Sequence, residues 1–503
     1  MMEKLNFSMI SNKQSFPEKV LQFGEGNFLR AFVDWQIDVM NEAREFNGSV
    51  VVVQPRGYEK IEKLKKQDYL YTLYLQGVKD NRIVKEHRII QSISRGINLY
   101  SEYDLFVELA HQEELRFVFS NTTEAGIIFE ETDQLADCPQ KSFPGKLTAF
   151  LYERFKEFKG DLHKGLIIIP CELIEKNGET LKEIVLQYAD LWGLNHAFKD
   201  WVHRGNTFCS SLVDRIVTGY PYDNIQEMKE ELGYEDEFIV AGEPYHLWVI
   251  EGPDWVEQEF PANKVGLNTL FVNDLTPYRT MKVRILNGLH TAMTPVAFLS
   301  GMNTVADAVN DPLIGLYLKE LLYREIIPSL NMPRKKLLSF AESVFERFKN
   351  PFNDHYLQSI ALNSIAKFKA RNLPTLLAYY EQNNELPMKL VFSFAALIAF
   401  YKGMREGGIF QLEDAPDVLQ QFSNLWRTFT SSLVDCKQLT ANVLSFEAWW
   451  GQDLNKIPGF TNAIAEQLYL IEKMGMGGLY PPSWQKRKSG KKGLITLETY
   501  FAN

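Results

Sequence analysis

The chain has 503 residues, 45% of them hydrophobic and 23% charged, with a formal net charge of -10. That composition can bury large cores, and the length predicts two or three domains; the acidic balance argues against nucleic acid as a partner. The four cysteines, Cys138, Cys171, Cys209 and Cys436, include no CxxC pair, which speaks for reduced thiols in a cytoplasm and against a disulfide framework or a zinc site.

Residues 1–12 carry no long apolar run, so no signal peptide is expected. Lys19-Val20-Leu21-Gln22-Phe23 reads as a short strand ending in glycines, and a helical pattern follows through Ala31, Val33, Trp35, Ile37 and Met40. Between them, Phe23-Gly24-Glu25-Gly26-Asn27-Phe28-Leu29-Arg30 stands where a dinucleotide-binding loop belongs. Gly24 permits a tight turn, and Gly26 lets the backbone approach a pyrophosphate at the helix N-terminus. The third glycine of the usual fingerprint is missing, and a plain strand-to-helix turn is the competing reading. Val50-Val51-Val52-Val53 suits a strand buried on both faces. It runs into Gln54-Pro55-Arg56, without the carboxylate that takes ribose hydroxyls and with an arginine able to face a 2′-phosphate. The residues alone therefore leave NAD and NADP both open. The runs from Leu115 to Phe119 and from Leu166 to Ile169 repeat the strand signature, each followed by a helical stretch. This rhythm predicts an α/β, Rossmann-like N-terminal domain with a parallel-rich, doubly wound sheet over residues 1–270.

From about Leu275 the texture changes. Leu286 to Leu299, Leu313 to Ile326, Ala341 to Phe348, Leu376 to Gln382, Leu390 to Tyr401 and Ala463 to Met474 read as helices. A mostly α-helical C-terminal domain, carrying substrate and catalytic groups, is expected over residues 271–503. The strongly apolar run from Val391 to Tyr401, bounded by Lys389 and Lys402, is too short to span a bilayer. The basic cluster Lys486-Arg487-Lys488 with Lys491 and Lys492 reads as a solvated loop. Lys282, Asn287 and His290 interrupt an otherwise apolar helical pattern. At about 100° per residue they fall within an arc of about 140°. Burying such groups is costly unless each has a partner, so the trio is either a satisfied polar cluster or an active site.

Together these pieces resemble the long-chain mannitol dehydrogenase family, the zinc-independent polyol and uronate dehydrogenases. Lys282, Asn287 and His290 match its catalytic Lys-x4-Asn-x2-His motif. Ser211-Leu212-Val213-Asp214-Arg215-Ile216 is similar to its Ser-Met-Val-Asp-Arg-Ile block, and Glu243-Pro244-Tyr245-His246-Leu247-Trp248-Val249 is a further match. The glycine turn through Ala31-Phe32, the segment Ser120-Asn121-Thr122-Thr123-Glu124-Ala125-Gly126, and Pro277-Tyr278-Arg279 are similar to the branch acting on D-tagaturonate. The resemblance implies an NAD-dependent oxidoreductase, without a metal, that interconverts D-altronate and D-tagaturonate in hexuronate breakdown. Within the same chemistry, fructuronate reduction or polyol 2-dehydrogenation is the alternative; in a different class stands a catalytically silent dinucleotide sensor.

The resemblance also implies roles. Phe23, Gly24, Glu25, Gly26, Asn27, Phe28, Leu29, Arg30, Thr123 and Glu124 are the implied cofactor contacts. Lys282 is the implied acid/base, with Asn287 donating to the oxygen that gains charge and His290 orienting a substrate hydroxyl. Asp214, Arg279, Lys367 and Arg371 are the implied substrate contacts. For Asp214 a structural pair with Arg215 competes. Two departures stand out. Cys171-Glu172-Leu173 lacks the asparagine that mannitol dehydrogenases carry there, so a second oxyanion donor is absent or supplied elsewhere, with Asn177 a candidate. Arg279 occupies a position where the family commonly has glutamate; a guanidinium suits a uronate carboxylate, against the competing reading of an exposed ion pair. The expected partner is a small hexuronate or hexonate, with no nucleic acid or membrane, for a cytoplasmic monomer or weak oligomer.

Overall fold

The computed structural model describes residues 2–10, 15–54, 59–123 and 125–476. Arg56, Glu124 and the basic cluster at 486–492 lie outside the described residues. The chain divides into two compact units, Met1–Tyr278 and Arg279–Asn503.

In the first unit the β-branched and aromatic runs become six strands: β1 (Glu18–Phe23), β2 (Ser49–Gln54), β3 (Ile93–Asn98), β4 (Phe117–Ser120), β5 (Ile167–Pro170) and β6 (Thr207–Phe208). Their spatial order is β3-β2-β1-β4-β5-β6, and every neighbouring pair is parallel. This is the doubly wound order, with its reversal between β1 and β4. All six residues of β2 are buried, because alternate side chains feed two separate cores. Val50 and Val52 join one core with Phe32, Ile37 and Met40. Those three belong to helix α1 (residues 27–42), which runs as Asn27–Leu29, a π-helical segment Arg30–Asp34, and Trp35–Glu42. Val51 and Val53 join the other core, with Leu147 and Phe150 of α2 (Phe143–Glu157) and Leu181 and Val185 of α3 (Asn177–Leu191).

Two smaller sheets complete this unit. The hairpin Tyr71–Lys79 with Arg82–Ile90 turns through Asp80 and Asn81, both at positive φ, the backbone that a two-residue hairpin loop requires. It is extended by Val240–Gly242 and Val217–Gly219. A three-stranded sheet sets Leu247–Glu251 between Ser210–Asp214 and Thr269–Val272.

The second unit is mostly helical, as the periodicity predicts. Helix Thr276–Met281 leads into it, then a π-helical segment Lys282–Asn287, then α4 (Gly288–Leu299). The apolar run near residue 391 forms α6 (Met388–Phe400), ten of whose residues are buried, packed on α4 and on Phe460–Met474. Between them in the chain lies α5 (Ser364–Arg371). Among the described residues of this unit the strands are two two-residue segments, Met404–Arg405 and Gly408–Ile409. No helix among the described residues is long and apolar enough to cross a membrane.

Candidate active site

A doubly wound sheet opens a crevice at the carboxyl ends of its strands, where the order reverses. Here the reversal lies between β1 and β4, and a cleft of about 360 Å³ is lined by Gly24 and Gly26 after β1, Thr122 and Thr123 after β4, and Ser142 and Lys146 of the α2 start. Gly24 has φ +118°, and a Cβ there would stand 3.4 Å from both Asn121 O and Leu29 Cδ1. Only glycine makes this turn without strain. Gly26 differs: its backbone is extended, no side chain caps α1 there, and an added Cβ would meet nothing within 4 Å. Gly26 lines the cleft and no side chain caps the first N–H groups of α1, an arrangement that fits a phosphate-bearing ligand.

The opposite wall is held by a buried carboxylate. Glu172, 2% exposed, accepts from Ser120 Oγ at 3.0 Å, Thr122 N at 2.8 Å and Thr122 Oγ1 at 2.9 Å. Burial raises its pKa, against these hydrogen bonds. Thr123, the next residue, takes φ +83°, a backbone that a β-branched residue adopts only when its surroundings impose it. At the α2 start, Ser142 Oγ accepts from Gly145 N at 2.9 Å, and Lys146 Nζ donates to Lys141 O at 2.7 Å.

The ten implied cofactor residues separate. Gly24, Glu25, Gly26 and Thr123 line the cleft, and Glu25 also pairs with Lys60 at 3.2 Å. Glu124 is outside the described residues. Phe23 and Leu29 are core residues, Phe28 stacks on Phe32 at 5.0 Å, and the exposed Asn27 accepts from Arg30 Nη2 at 2.6 Å. Arg30 is itself buried: it donates to Phe238 O at 2.5 Å and Glu25 O at 3.3 Å, and lies over the Tyr71 ring. Its guanidinium ties α1 to the strand region beyond it. Asn177 is likewise structural, which corrects its candidacy as an oxyanion donor. Its amide donates to Pro170 O, Glu172 O and Ser211 O and accepts from Gly178 N and Ser211 N, so no capacity is left for a substrate. Asp214, buried, ends the strand Ser210–Asp214 opposite Leu247. Arg215 does not pair with it: the guanidinium donates to Ala31 O, Glu243 O and Pro244 O and stacks over Trp35 at 4.1 Å.

In the second unit the trio sits where the helix changes its winding. Lys282 and Asn287 bound the π-helical segment. With i→i+5 hydrogen bonds in place of i→i+4, residues five apart take the stacked relation that four apart have in a regular helix. The motif's five-residue spacing thus places Lys282 and Asn287 on one face more closely than a uniform 100° step does. Both are half-buried. Gly288 follows because α5 comes close: a Cβ there would stand 3.3 Å from Arg371 O, and Asn372 Nδ2 donates to Gly288 O at 2.9 Å.

His290 is buried, stacked on Phe348 at 4.2 Å and edge-on to His355 at 4.9 Å. Burial, with His355, Arg347 and Arg371 nearby, holds its pKa well below the ordinary value, so the ring is neutral. Its Nε2 has no hydrogen-bond partner among the described residues, an unusual cost for a buried polar atom unless a ligand supplies the bond. Arg371 donates to Thr291 Oγ1 at 3.2 Å, Lys367 to Ile360 O at 2.9 Å, and burial lowers the pKa of both. Arg279 is half-buried and has no ion-pair partner among the described residues. His355 and Phe348 escaped the sequence reading because neither lies in a motif; only the fold brings them to His290. No group of three or more His, Cys, Asp or Glu side chains is placed to hold a metal among the described residues.

Comparison with known proteins places this geometry. The family model for the mannitol dehydrogenase Rossmann domain matches residues 18–264, and that for the mannitol dehydrogenase C-terminal domain matches residues 274–472. The chain is 56% identical over 475 residues to the altronate oxidoreductase of Bacillus subtilis, covering 94% of this chain and 97% of that one. It is 47% identical to the altronate oxidoreductase of Yersinia enterocolitica, over 92% of this chain and 96% of that one. Among solved structures, mannitol 2-dehydrogenase of Pseudomonas fluorescens in complex with NAD and D-mannitol superposes with a TM-score of 0.66 at 23% identity, covering 96% and 99% of the two chains. A substrate-free D-sorbitol dehydrogenase gives 0.80 at 20% identity, covering 95% and 100%. At those identities the structures share the fold, and the family models with the close relatives decide membership: the chain belongs to the mannitol dehydrogenase family.

Proposed function

We propose that this chain is an NAD-dependent oxidoreductase that interconverts D-altronate and D-tagaturonate. The observation that carries this reading is the 56% identity to an altronate oxidoreductase along nearly the full length of both chains. The cleft at the β1/β4 reversal, with its open Gly26 and uncapped helix start, suits the pyrophosphate of NAD. Residues 1–270 are read as the coenzyme domain and 271–503 as the catalytic one.

When bound, the nicotinamide supplies the hydride acceptor and donor. Lys282 Nζ takes the hydroxyl proton in the oxidative direction and returns it to the alkoxide oxygen in the reductive one. Asn287 donates its amide N–H to that same oxygen as charge develops. His290, neutral and with an unpartnered Nε2, hydrogen-bonds a substrate hydroxyl. Arg279 is assigned to the uronate carboxylate, for which a planar guanidinium is matched; Arg371, Lys367 and Asp214 are assigned to the remaining oxygens. The substrate is a small hexonate, and the setting we infer is a cytoplasmic monomer or weak oligomer.

A panel of hexonates and polyols offered with NAD and with NADP, followed at the nicotinamide absorbance band, tests the reading. Altronate with NAD should give the highest kcat/KM. No turnover of altronate beside good turnover of mannonate or mannitol would overturn it.

A further inference from the structure

Directly behind the glycine turn, Gln22 of β1 and Asp34 of α1 are both completely buried. Gln22 Nε2 donates to Gly24 O at 3.1 Å and to Asp34 Oδ2 at 3.2 Å, so both amide hydrogens are in use. The two atoms left over, Gln22 Oε1 and Asp34 Oδ1, are buried without a hydrogen-bond partner among the described residues. If Asp34 is ionised, both are acceptors with no donor, on two side chains already joined by one bond. Each then bears the full desolvation penalty of an unmet polar group.

No neighbouring cation bonds to either leftover atom. Arg30 directs its guanidinium to Glu25 O, Phe238 O and Asn27 Oδ1, and Arg88 pairs with Asp38, the next carboxylate along α1. From the neighbouring strand, the Tyr71 hydroxyl donates to Arg30 O. Asp236 is held by Gln67 and by the amides of Thr72 and Phe238. A single proton resolves the conflict. A carboxylic O–H on Asp34 donates to Gln22 Oε1, while Gln22 Nε2 goes on donating to the other carboxyl oxygen. The result is a closed acid–amide pair with every polar atom satisfied. The environment agrees: burial pushes the Asp34 carboxyl up to about 7, against the pull of Gln22, Arg30 and Tyr71.

We propose that Asp34 is a positioning residue that carries a proton in the coenzyme-binding form, and that its pair with Gln22 holds the Gly24 carbonyl and with it the glycine turn. Loss of the proton sets two acceptors against each other, turns the Gln22 amide away and frees the turn. The inference rests on the reading that this turn receives NAD, but its first test needs no coenzyme.

Asp34→Asn replaces the O–H donor by a permanent N–H donor, so the pair survives at every pH. A carboxyl raised above its unfolded value of about 3.9 adds stability that is present at low pH and lost as pH rises toward the folded value. Thermal unfolding of the coenzyme-free protein between pH 5 and 8 should show the native chain losing stability relative to D34N up to about pH 7. The loss should approach tenfold in the unfolding equilibrium constant per pH unit, and the curves should run parallel above. Native protein at pH 6 should also show an infrared carbonyl band of a protonated carboxylic acid that persists in Glu325→Gln, which removes the other carboxyl that burial pushes up to about 7, and that is lost in D34N; the comparison of the native chain with E325Q stands even if D34N folds poorly. Finally, the NAD dissociation constant should rise about two- to tenfold from pH 6 to pH 8.5 in the native chain, the range one neutral hydrogen bond is worth, and stay flat in D34N. Parallel stability curves with no acid band in E325Q overturn the pair and point to an ionised Asp34 bridged by water. A failure of both proteins to bind NAD at any pH overturns the coenzyme reading instead, while the first two readouts still decide the pair.

Discussion

Replacing Gly26 by alanine separates coenzyme binding from folding. Gly26 has φ -68° and ψ 163°, a conformation alanine adopts without strain, and an added Cβ meets no atom within 4 Å. The folded protein absorbs the methyl group, while the unfolded chain loses freedom. Coenzyme-free stability should therefore rise by about 0.4–1 kcal/mol, roughly 1–4 °C in Tm for a unit of this size. The same methyl stands on the open side of the turn, where a pyrophosphate must come within hydrogen-bond distance of the α1 start. Losing one N–H bond to a charged acceptor costs about 1.5–3 kcal/mol, or roughly 10- to 160-fold in the NAD dissociation constant. Fluorescence titration with NADH and thermal melts of the free protein measure the two effects separately. Gly126→Ala is the contrast: its Cβ would stand 2.0 Å from Thr122 Oγ1 and 2.7 Å from Thr122 O, so the loop anchored on Glu172 must shift and both readouts should fall. G26A with NAD affinity within twofold of the native protein would refute the placement of the coenzyme. A lowered Tm would refute the open side of the turn.

Three further variants concern the second unit. Lys282→Ala should lower kcat about 10²- to 10⁴-fold with a small change in KM for altronate, and added small primary amines should restore part of it; a loss under tenfold would remove Lys282 from proton transfer. His290→Phe keeps a ring against Phe348 but lacks Nε2, and should lower kcat/KM roughly 10- to 100-fold. Because the folded imidazole resists protonation, the unfolded chain takes the proton first, and this contribution to stability is lost as pH falls below about 6.5. Thermal melts of H290F between pH 7 and pH 5 should lose less stability than those of the native chain. Arg279→Glu should raise KM for tagaturonate at least about tenfold, as expected when a charge-assisted bond is lost, and leave KM for NAD unchanged; an unchanged tagaturonate KM removes Arg279 from carboxylate binding.

What could be read from the residues follows from how local the signal is. Val50 to Val53 announce a strand buried on both faces, and the structure divides them between two cores. Gly24 announces a turn, and its φ of +118° requires one. The hairpin Tyr71–Ile90 was not legible, since Arg82–Ile90 is largely exposed and carries no buried periodicity. The π-helical segments Arg30–Asp34 and Lys282–Asn287 were not legible either. Their wider turn depends on which carbonyls the surrounding packing leaves free, and the residues Lys282 to Asn287 are equally compatible with a regular helix.

The sequence by itself determined the alternation of strands and helices in the first half, the change to helices near residue 275, the glycine turn, and the spacing of Lys282, Asn287 and His290. These are patterns over a few residues, set by backbone freedom and by the period of apolar side chains. Tertiary structure decided which polar side chains remain available to a ligand. Arg30 and Asn177, each plausible as a ligand contact by type and position, are bound to carbonyls of distant strands and turns. His290 has Phe348 and His355 around its ring and no partner at Nε2. Availability depends on what every other buried donor and acceptor has already paired with, and that pairing exists only once the chain is folded.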